Sequence, residues 1–289
     1  VEFGSIDQQR EFLPTLISGA RLYAFAMTEP GAGTDFSTCA TYAAPDGDGW
    51  RLSGEKTWIT NGGAADALFV FATVDREDPR RGYTCFVVRG DAPGLRREPV
   101  PGRPLGHRAA DHARVVLDGV RVGPDDVVGT VGGGAKVAHG ALEHGRLGVA
   151  AGAVGIHRAC FETCLDFARR RRQFGKRVGD FQLLQGVLAE MHCDLEASRL
   201  LVMKAARLRD QGKPNLREVS VAKWFAVEKA ARAANEAVVF LGSRGYSDVY
   251  PVERCLRDIK GMQIYEGTSH VQRVIVARDL LGRDQGEKL

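Results

Sequence analysis

The chain has 289 residues, 44% hydrophobic and 26% charged, with a formal net charge of +4. This balance is that of a globular protein with a buried core and excludes a low-complexity or disordered chain. No apolar run approaches the roughly 20 residues of a membrane span, the first residues lack a basic-then-apolar signal pattern, and so mild a positive charge suits a small acidic ligand such as a nucleotide better than nucleic acid.

In chain order, residues 1–20 come first. Within them, DQQREFLPTLISG has apolar residues at helical spacing, with Pro14 and Gly19 as breakers. The segment reads as the tail of an N-terminal helical domain whose main part would lie upstream. From 21 to 130 the period shortens. Runs such as RLYAFAMT, FSTCATYAA, GWRLSGEKTWIT, ALFVFATV, YTCFVVR and ARVVLDGVRV alternate with APDGDG, NGGAAD, DREDPRRG and GDAPG. That alternation predicts an antiparallel β-barrel or sandwich, with a hairpin turn at PDGDG. Residues 131–289 have helical period, with long helices expected over 135–170, 181–211 and 216–241 and two shorter ones flanking YEGT. Gly145, Gly148, Gly152 and Gly155 in the first long helix permit close helix packing in a bundle.

Four stretches carry chemistry. AMTEPGAGTDFS (26–37) leaves a strand for a glycine-rich turn whose N–H groups and hydroxyls could cradle an anion; a plain polar turn reads equally well. In KTWITNGG, Trp58 and Thr60 stand two apart on a strand and so share a face, where an indole could stack on a planar ring. RRRRQFG (169–175) is a phosphate clamp or a solvated helix end; without a second basic tract it does not argue for nucleic acid. QIYEGT places Glu266 at a break between helices, as a turn residue or as a base. The six cysteines lack CxxC spacing and read as buried thiols in a reducing cytoplasm, with no metal site expected.

Taken together, YAFAMTEPGAGTDFS, GEKTWITNG, EHGRLGVAAGAVGI, RRRQFGK and YPVERCLRDIKGMQIYEGTSHVQRVIVAR resemble the acyl-CoA dehydrogenase family along nearly the whole chain. The resemblance implies an α+β fold: an antiparallel β-barrel or sandwich followed by a C-terminal four-helix bundle, with FAD between them. It implies FAD contacts from Phe25, Met27, Thr28, Gly33, Thr34, Trp58, Thr60, Gly267 and Thr268. Arg171, Gln173, Phe174 and Gln182 are implied to reach the FAD of a neighbouring subunit in a dimer or tetramer. Thr34, Glu143, Arg146 and Tyr265 are implied to meet the acyl-CoA substrate. Glu266 is implied to take the α-proton while flavin N5 accepts the β-hydride, electrons then passing to an electron-transfer flavoprotein or similar acceptor. The family's other base position, directly before the arginine of the GR step, is Gly145 here. One stretch departs from the pattern: VVFLGSRGY has Val239 where many relatives carry a glutamine on FAD, and Arg244 inside the loop could meet a phosphate instead. Alternatives are a same-fold oxidase, a carrier-protein-bound substrate, or a non-catalytic subunit completing a partner's FAD site.

Overall fold

The computed structural model describes residues 1–282, which divide into two compact units. The first, a β unit, comprises Val1–Arg103 and Arg108–Ala141; the second, a helical unit, comprises Pro104–His107 and, of the described residues, 142–282.

The β unit opens on α1 (Ile6–Ser18). Its N-cap is Ser5, in a capping box with Gln8, and Gly19 ends it in the left-handed conformation. Pro14, expected as a breaker, lies inside this helix. Proline removes one N–H bond of the ladder, and here the capping box and the buried Phe12 hold the helix around it. The strands are β1 (Tyr23–Ala26), β2 (Tyr42–Asp46), β3 (Gly49–Thr60), β4 (Ala67–Thr73), β5 (Tyr83–Arg89), β6 (Leu95–Pro99), β7 (His112–Val122) and β8 (Val127–Val128), with the single-turn α2 (Pro79–Gly82) before β5. They form one eight-stranded sheet in the order β6-β7-β3-β2-β4-β5-β8, with β1 joined to β4.

The sheet is mixed, which corrects the expectation of an antiparallel one. β4 pairs antiparallel with β5 along one edge. Its other edge is shared by two parallel neighbours, β1 over Ala67–Val70 and β2 at Thr73. Period and turn residues identify strands but do not fix the direction of non-adjacent partners. The continuous apolar runs of β4 and β5 follow from burial on both faces. Leu68, Val70, Ala72, Phe86 and Val88 enter one core with Leu52, Ile59 and Val115. Ala67, Phe71, Tyr83, Cys85 and Val87 enter another with Phe12, Val137 and Ala138.

The long helices are α3 (Gly134–Arg170, whose residues up to Ala141 belong to the β unit), α4 (Gln182–Asp210) and α5 (Leu216–Leu241). Their bounds lie within one residue of the spans expected from period. Ala222, Ala226, Ala230, Ala233 and Ala237 make a small buried stripe on α5, against a core that includes Ala153, Cys160 and Cys164. α6 (Val252–Ile264) and α7 (Ser269–Leu280) follow. Between α3 and α4 a short hairpin pairs β9 (Arg172–Gln173) with β10 (Lys176–Arg177). Its turn residues Phe174 and Gly175 both have positive φ, 51° and 77°, as a type I′ turn requires. Among the described residues no helix is long and apolar enough to cross a membrane, and no group of three or more His, Cys, Asp or Glu is placed to hold a metal.

Candidate active site

The break at YEGT is built by backbone geometry and by three side chains from other helices. Tyr265 ends α6, its N–H donating to the Gly261 carbonyl. Glu266 and Gly267 then take positive φ, 57° and 84°. A glutamate in that region is strained by roughly 1–2 kcal/mol and needs its surroundings to hold it. Thr268 caps α7, its Oγ1 accepting from the Val271 N–H at 3.2 Å, so its hydroxyl hydrogen remains to donate elsewhere.

Every carbonyl of the turn is bound. Lys223 Nζ, from α5, donates to the Tyr265 carbonyl at 3.0 Å and the Gly267 carbonyl at 2.8 Å. Gln272 Nε2, from α7, donates to the Glu266 and Gly267 carbonyls at 3.0 Å each. Arg146 Nε, from α3, donates to the Glu266 carbonyl at 3.3 Å. Gly267 is required twice: by its φ, and because a Cβ there would stand 2.6 Å from Gln272 Nε2.

With its main chain so held, the Glu266 side chain lies against α3. A Cβ on Gly145 would stand 2.5 Å from Glu266 Oε2 and 2.6 Å from Oε1, so the glycine gives the carboxyl its room. Oε2 is buried and has no hydrogen-bond partner among the described residues. Burial pushes the Glu266 carboxyl above the usual carboxylate range, against the opposing pull of the Arg146 and Lys223 charges. Burial also draws Lys223 down to about 8, while the negative charge of Glu266 works the other way. The Tyr265 phenol is pushed up to about 12, by burial and then by the charges of Glu266 and Asp258. Its hydroxyl stands 3.4 Å from His107 Nε2, and the His107 N–H donates to Asp258 Oδ1 at 2.6 Å. A half-buried glutamate with one buried, unpartnered carboxylate oxygen and a raised proton affinity has the properties of a general base.

Sequence reasoning placed Glu266, Gly145, Tyr265, Gly267 and Thr268 in this region, and the structure brings them together with Arg146. Arg146 is 7% exposed and turned onto the Glu266 carbonyl, while Glu143 is half-buried one turn earlier. Lys223 and Gln272 were not found from the sequence. The available signal was a lysine within the buried alanine stripe of α5 and a glutamine at a wholly buried position of α7.

In the β unit the two β-side motifs are hydrogen-bonded neighbours. The Thr57 N–H donates to the Thr28 carbonyl at 2.9 Å, and Lys56 Nζ to the Met27 carbonyl at 3.2 Å. Lys56 also meets Glu29 Oε1 at 2.6 Å, and Glu29 in turn accepts from Ala40 N, Thr41 N and Thr41 Oγ1. Beyond Lys56 the register with β7 shifts before Ile59, and Trp58 takes φ 56° in this bulge. Trp58 and Thr60 both face outward, as their spacing predicted, and Trp58 is 52% exposed. Phe25 is outward too, backed by Phe71 at 5.0 Å between ring centroids. Gly33 and Thr34 are exposed, whereas Met27 and Thr28 are half-buried. A Cβ on Gly31 or Gly33 would meet nothing within 4 Å, so neither glycine is there for the chain's own packing. Outward aromatic rings next to an open glycine turn with free space fit a planar ring system carrying a diphosphate.

In the helical unit Arg171 is half-buried, while Gln173, Phe174 and Gln182 are exposed, Phe174 at 92%. A phenylalanine held at positive φ with its ring in solvent serves no purpose in its own core. Val239 is 69% exposed, and the Arg244 guanidinium lies 6.0 Å from the Phe167 ring centroid.

Residues 24–120 match the family model of the acyl-CoA dehydrogenase middle domain, and residues 132–281 that of the acyl-CoA dehydrogenase C-terminal domain. Glutaryl-CoA dehydrogenase of Desulfococcus multivorans is 38% identical over 97% of this chain and 72% of its own. Short-chain-specific acyl-CoA dehydrogenase of Megasphaera elsdenii is 40% identical over 97% of this chain and 73% of its own. The solved butyryl-CoA dehydrogenase of Megasphaera elsdenii superposes with a TM-score of 0.92 at 39% identity, over 97% of this chain and 73% of that one. A chain from a structural study of the electron transferring flavoprotein of Acidaminococcus fermentans gives a TM-score of 0.94 at 37% identity, over 98% of this chain and 74% of that one.

Proposed function

We propose, on the footing that this chain belongs to the acyl-CoA dehydrogenase family, that it removes hydrogen from the α and β carbons of a saturated acyl-CoA to give the 2-enoyl-CoA. The family is one of FAD-dependent oxidoreductases. The observation that carries the reading is the half-buried Glu266, with Oε2 buried and unpartnered, on a turn whose carbonyls are all bound by other side chains.

An α-proton of a thioester is weakly acidic, so its removal needs a base within hydrogen-bond reach and donors on the thioester carbonyl. Glu266 is the base. Its backbone N–H is the donor this chain offers the carbonyl, on the same residue and therefore in fixed relation to the carboxylate. Partial burial, complete at Oε2, raises the proton affinity of the carboxylate, which brings its basicity closer to that required. Phe25, Met27, Thr28, Gly33, Thr34, Trp58, Thr60, Gly267 and Thr268 would hold FAD, and Arg171, Gln173, Phe174 and Gln182 that of a second copy. The chemistry FAD supplies when bound is acceptance of the hydride leaving the β-carbon. Thr34, Glu143 and Tyr265 would meet substrate; Arg146, turned onto the base's carbonyl, would act there as well. An electron-transferring flavoprotein is the proposed acceptor.

The test is anaerobic titration of the FAD-loaded protein with short, medium and branched acyl-CoAs and with the same acyl groups on a carrier protein. The expected result is loss of the oxidised-flavin absorption with at least one acyl-CoA. Loss only with the carrier-bound forms would overturn the CoA assignment, and no loss with any of them would overturn the dehydrogenase reading.

A further inference from the structure

Lys223 is a buried lysine with no carboxylate within ion-pair distance among the described residues. It is 0% exposed, and its hydrogen-bond acceptors are the Tyr265 and Gly267 carbonyls, the residues on either side of Glu266. Burying an ammonium is costly, and a buried charge ordinarily has an opposite charge beside it. A neutral donor would satisfy two carbonyls at less cost, so satisfying them does not account for the choice of a lysine.

We propose that Lys223 is the positioning residue of the base: it fixes the positive-φ turn that aims Glu266, and its charge favours the ionised carboxylate. The inference rests on the reading of Glu266 given above. Two carbonyl bonds flanking one residue leave that residue little rotational freedom, so the carboxylate and the backbone N–H keep a fixed relation. The field of an ammonium inside the protein is weakly screened, because little water intervenes. Other charged or titratable groups act in the same place. From α3 come Arg146, on the Glu266 carbonyl, and Glu143 beside it. Glu228, on α5, accepts from Ser269 Oγ at 2.5 Å and favours the Lys223 charge. Tyr265 and Asp258 bring a phenol and a carboxylate from the α6 side, and His107 stands against Tyr265. Gln272, from α7, binds the same turn without charge. Of the three side chains on the turn, Arg146 and Lys223 are cationic, so removing Lys223 takes away one of the two positive charges that act on Glu266.

The experiment follows exchange of the α-protons of butyryl-CoA in D2O by NMR, from pH 5 to 9, with the FAD-loaded protein and its Lys223→Met, Gln272→Met and Glu266→Gln variants. Exchange requires the ionised base, so its rate falls on the acid side. In Lys223→Met the acid-side limb is expected to move up by about one pH unit, with a loss of up to about tenfold on the acid side of that limb. Gln272→Met is expected to lower the rate without moving the limb, since it removes bonds but no charge. Should Lys223→Met not fold, Lys223→Gln, a neutral donor, carries the same shift. An unmoved limb in the Lys223 variant overturns the proposal, because a purely structural role would lower the rate at every pH. Wild-type exchange in Glu266→Gln would instead overturn the reading of the base itself.

Discussion

Among the described residues each unit buries one lysine completely, and the two are used differently. In the β unit Lys56 faces Glu29 at 2.6 Å, so its charge is neutralised locally. In the helical unit Lys223 faces carbonyls alone. The first arrangement ties the AMTEPGAGTDFS turn to β3, next to the bulge that turns Trp58 outward. The second leaves an unspent positive charge beside Glu266. A buried ion pair makes a rigid platform; a buried cation without a counter-ion makes a field.

The comparison can be broken most directly at Glu29. Glu29→Ala leaves Lys56 buried without its partner and is expected to cost about 3–5 kcal/mol in denaturant unfolding. Replacing both partners with apolar residues of similar volume should recover the part due to the unpaired charge, but not the bonds that Glu29 accepts from Ala40 and Thr41. Lys223→Met breaks no ion pair but removes the bonds to the Tyr265 and Gly267 carbonyls, so its unfolding free energy should fall by a smaller amount, about 1–3 kcal/mol. A loss at Lys223 equal to that at Glu29 would erase the distinction.

Acid should separate the units next. Burial alone would raise Glu29, but the Lys56 charge and the bonds from Lys56, Thr41 and Ala40 draw it down to about 2. A depressed carboxylate stabilises the fold above its unfolded value of about 4.5 and loses that contribution as pH falls toward 2, about 3 kcal/mol in all. Glu266 has the opposite sign: its raised affinity costs stability above the unfolded value, and that cost is relieved as pH falls. Lys223, drawn down to about 8, costs stability at neutral pH and is relieved as pH rises from there through its unfolded value of about 10.5. Unfolding of the two units followed separately from pH 7 to 2 should show the β unit losing more.

Smaller effects belong to glycines. Gly267→Ala meets a positive φ and the Gln272 amide at once, and should cost roughly 1–3 kcal/mol together with activity. Gly33→Ala meets nothing within 4 Å and should leave the melting temperature of the FAD-free protein unchanged. A weaker FAD affinity in that variant would show that the open space belongs to the cofactor.

Much of this was legible in the sequence. Helical period gave the three long helices almost to the residue, because an amphipathic stripe has to face the core throughout its length. The alternating strands were legible too, but not β6 or β8, one short and solvent-facing and the other only two residues long. The parallel pairing of β1 was also hidden, since it joins residues far apart in sequence. Motif order pointed to Glu266 and to the empty Gly145. Lys223, Gln272 and the Glu29–Lys56 pair stayed hidden because their importance lies in which partners the fold brings them, and a lone polar residue in an apolar stripe does not name its partner.

The most direct test of the account is Glu266→Gln. The substitution keeps the size and backbone of the residue and removes the proposed base. General bases contribute about 10²–10⁴-fold. The variant should therefore bind FAD as the parent protein does and lose the bleaching of its flavin by acyl-CoA by about that factor or more. Bleaching at the parent rate would place the base elsewhere and contradict the account.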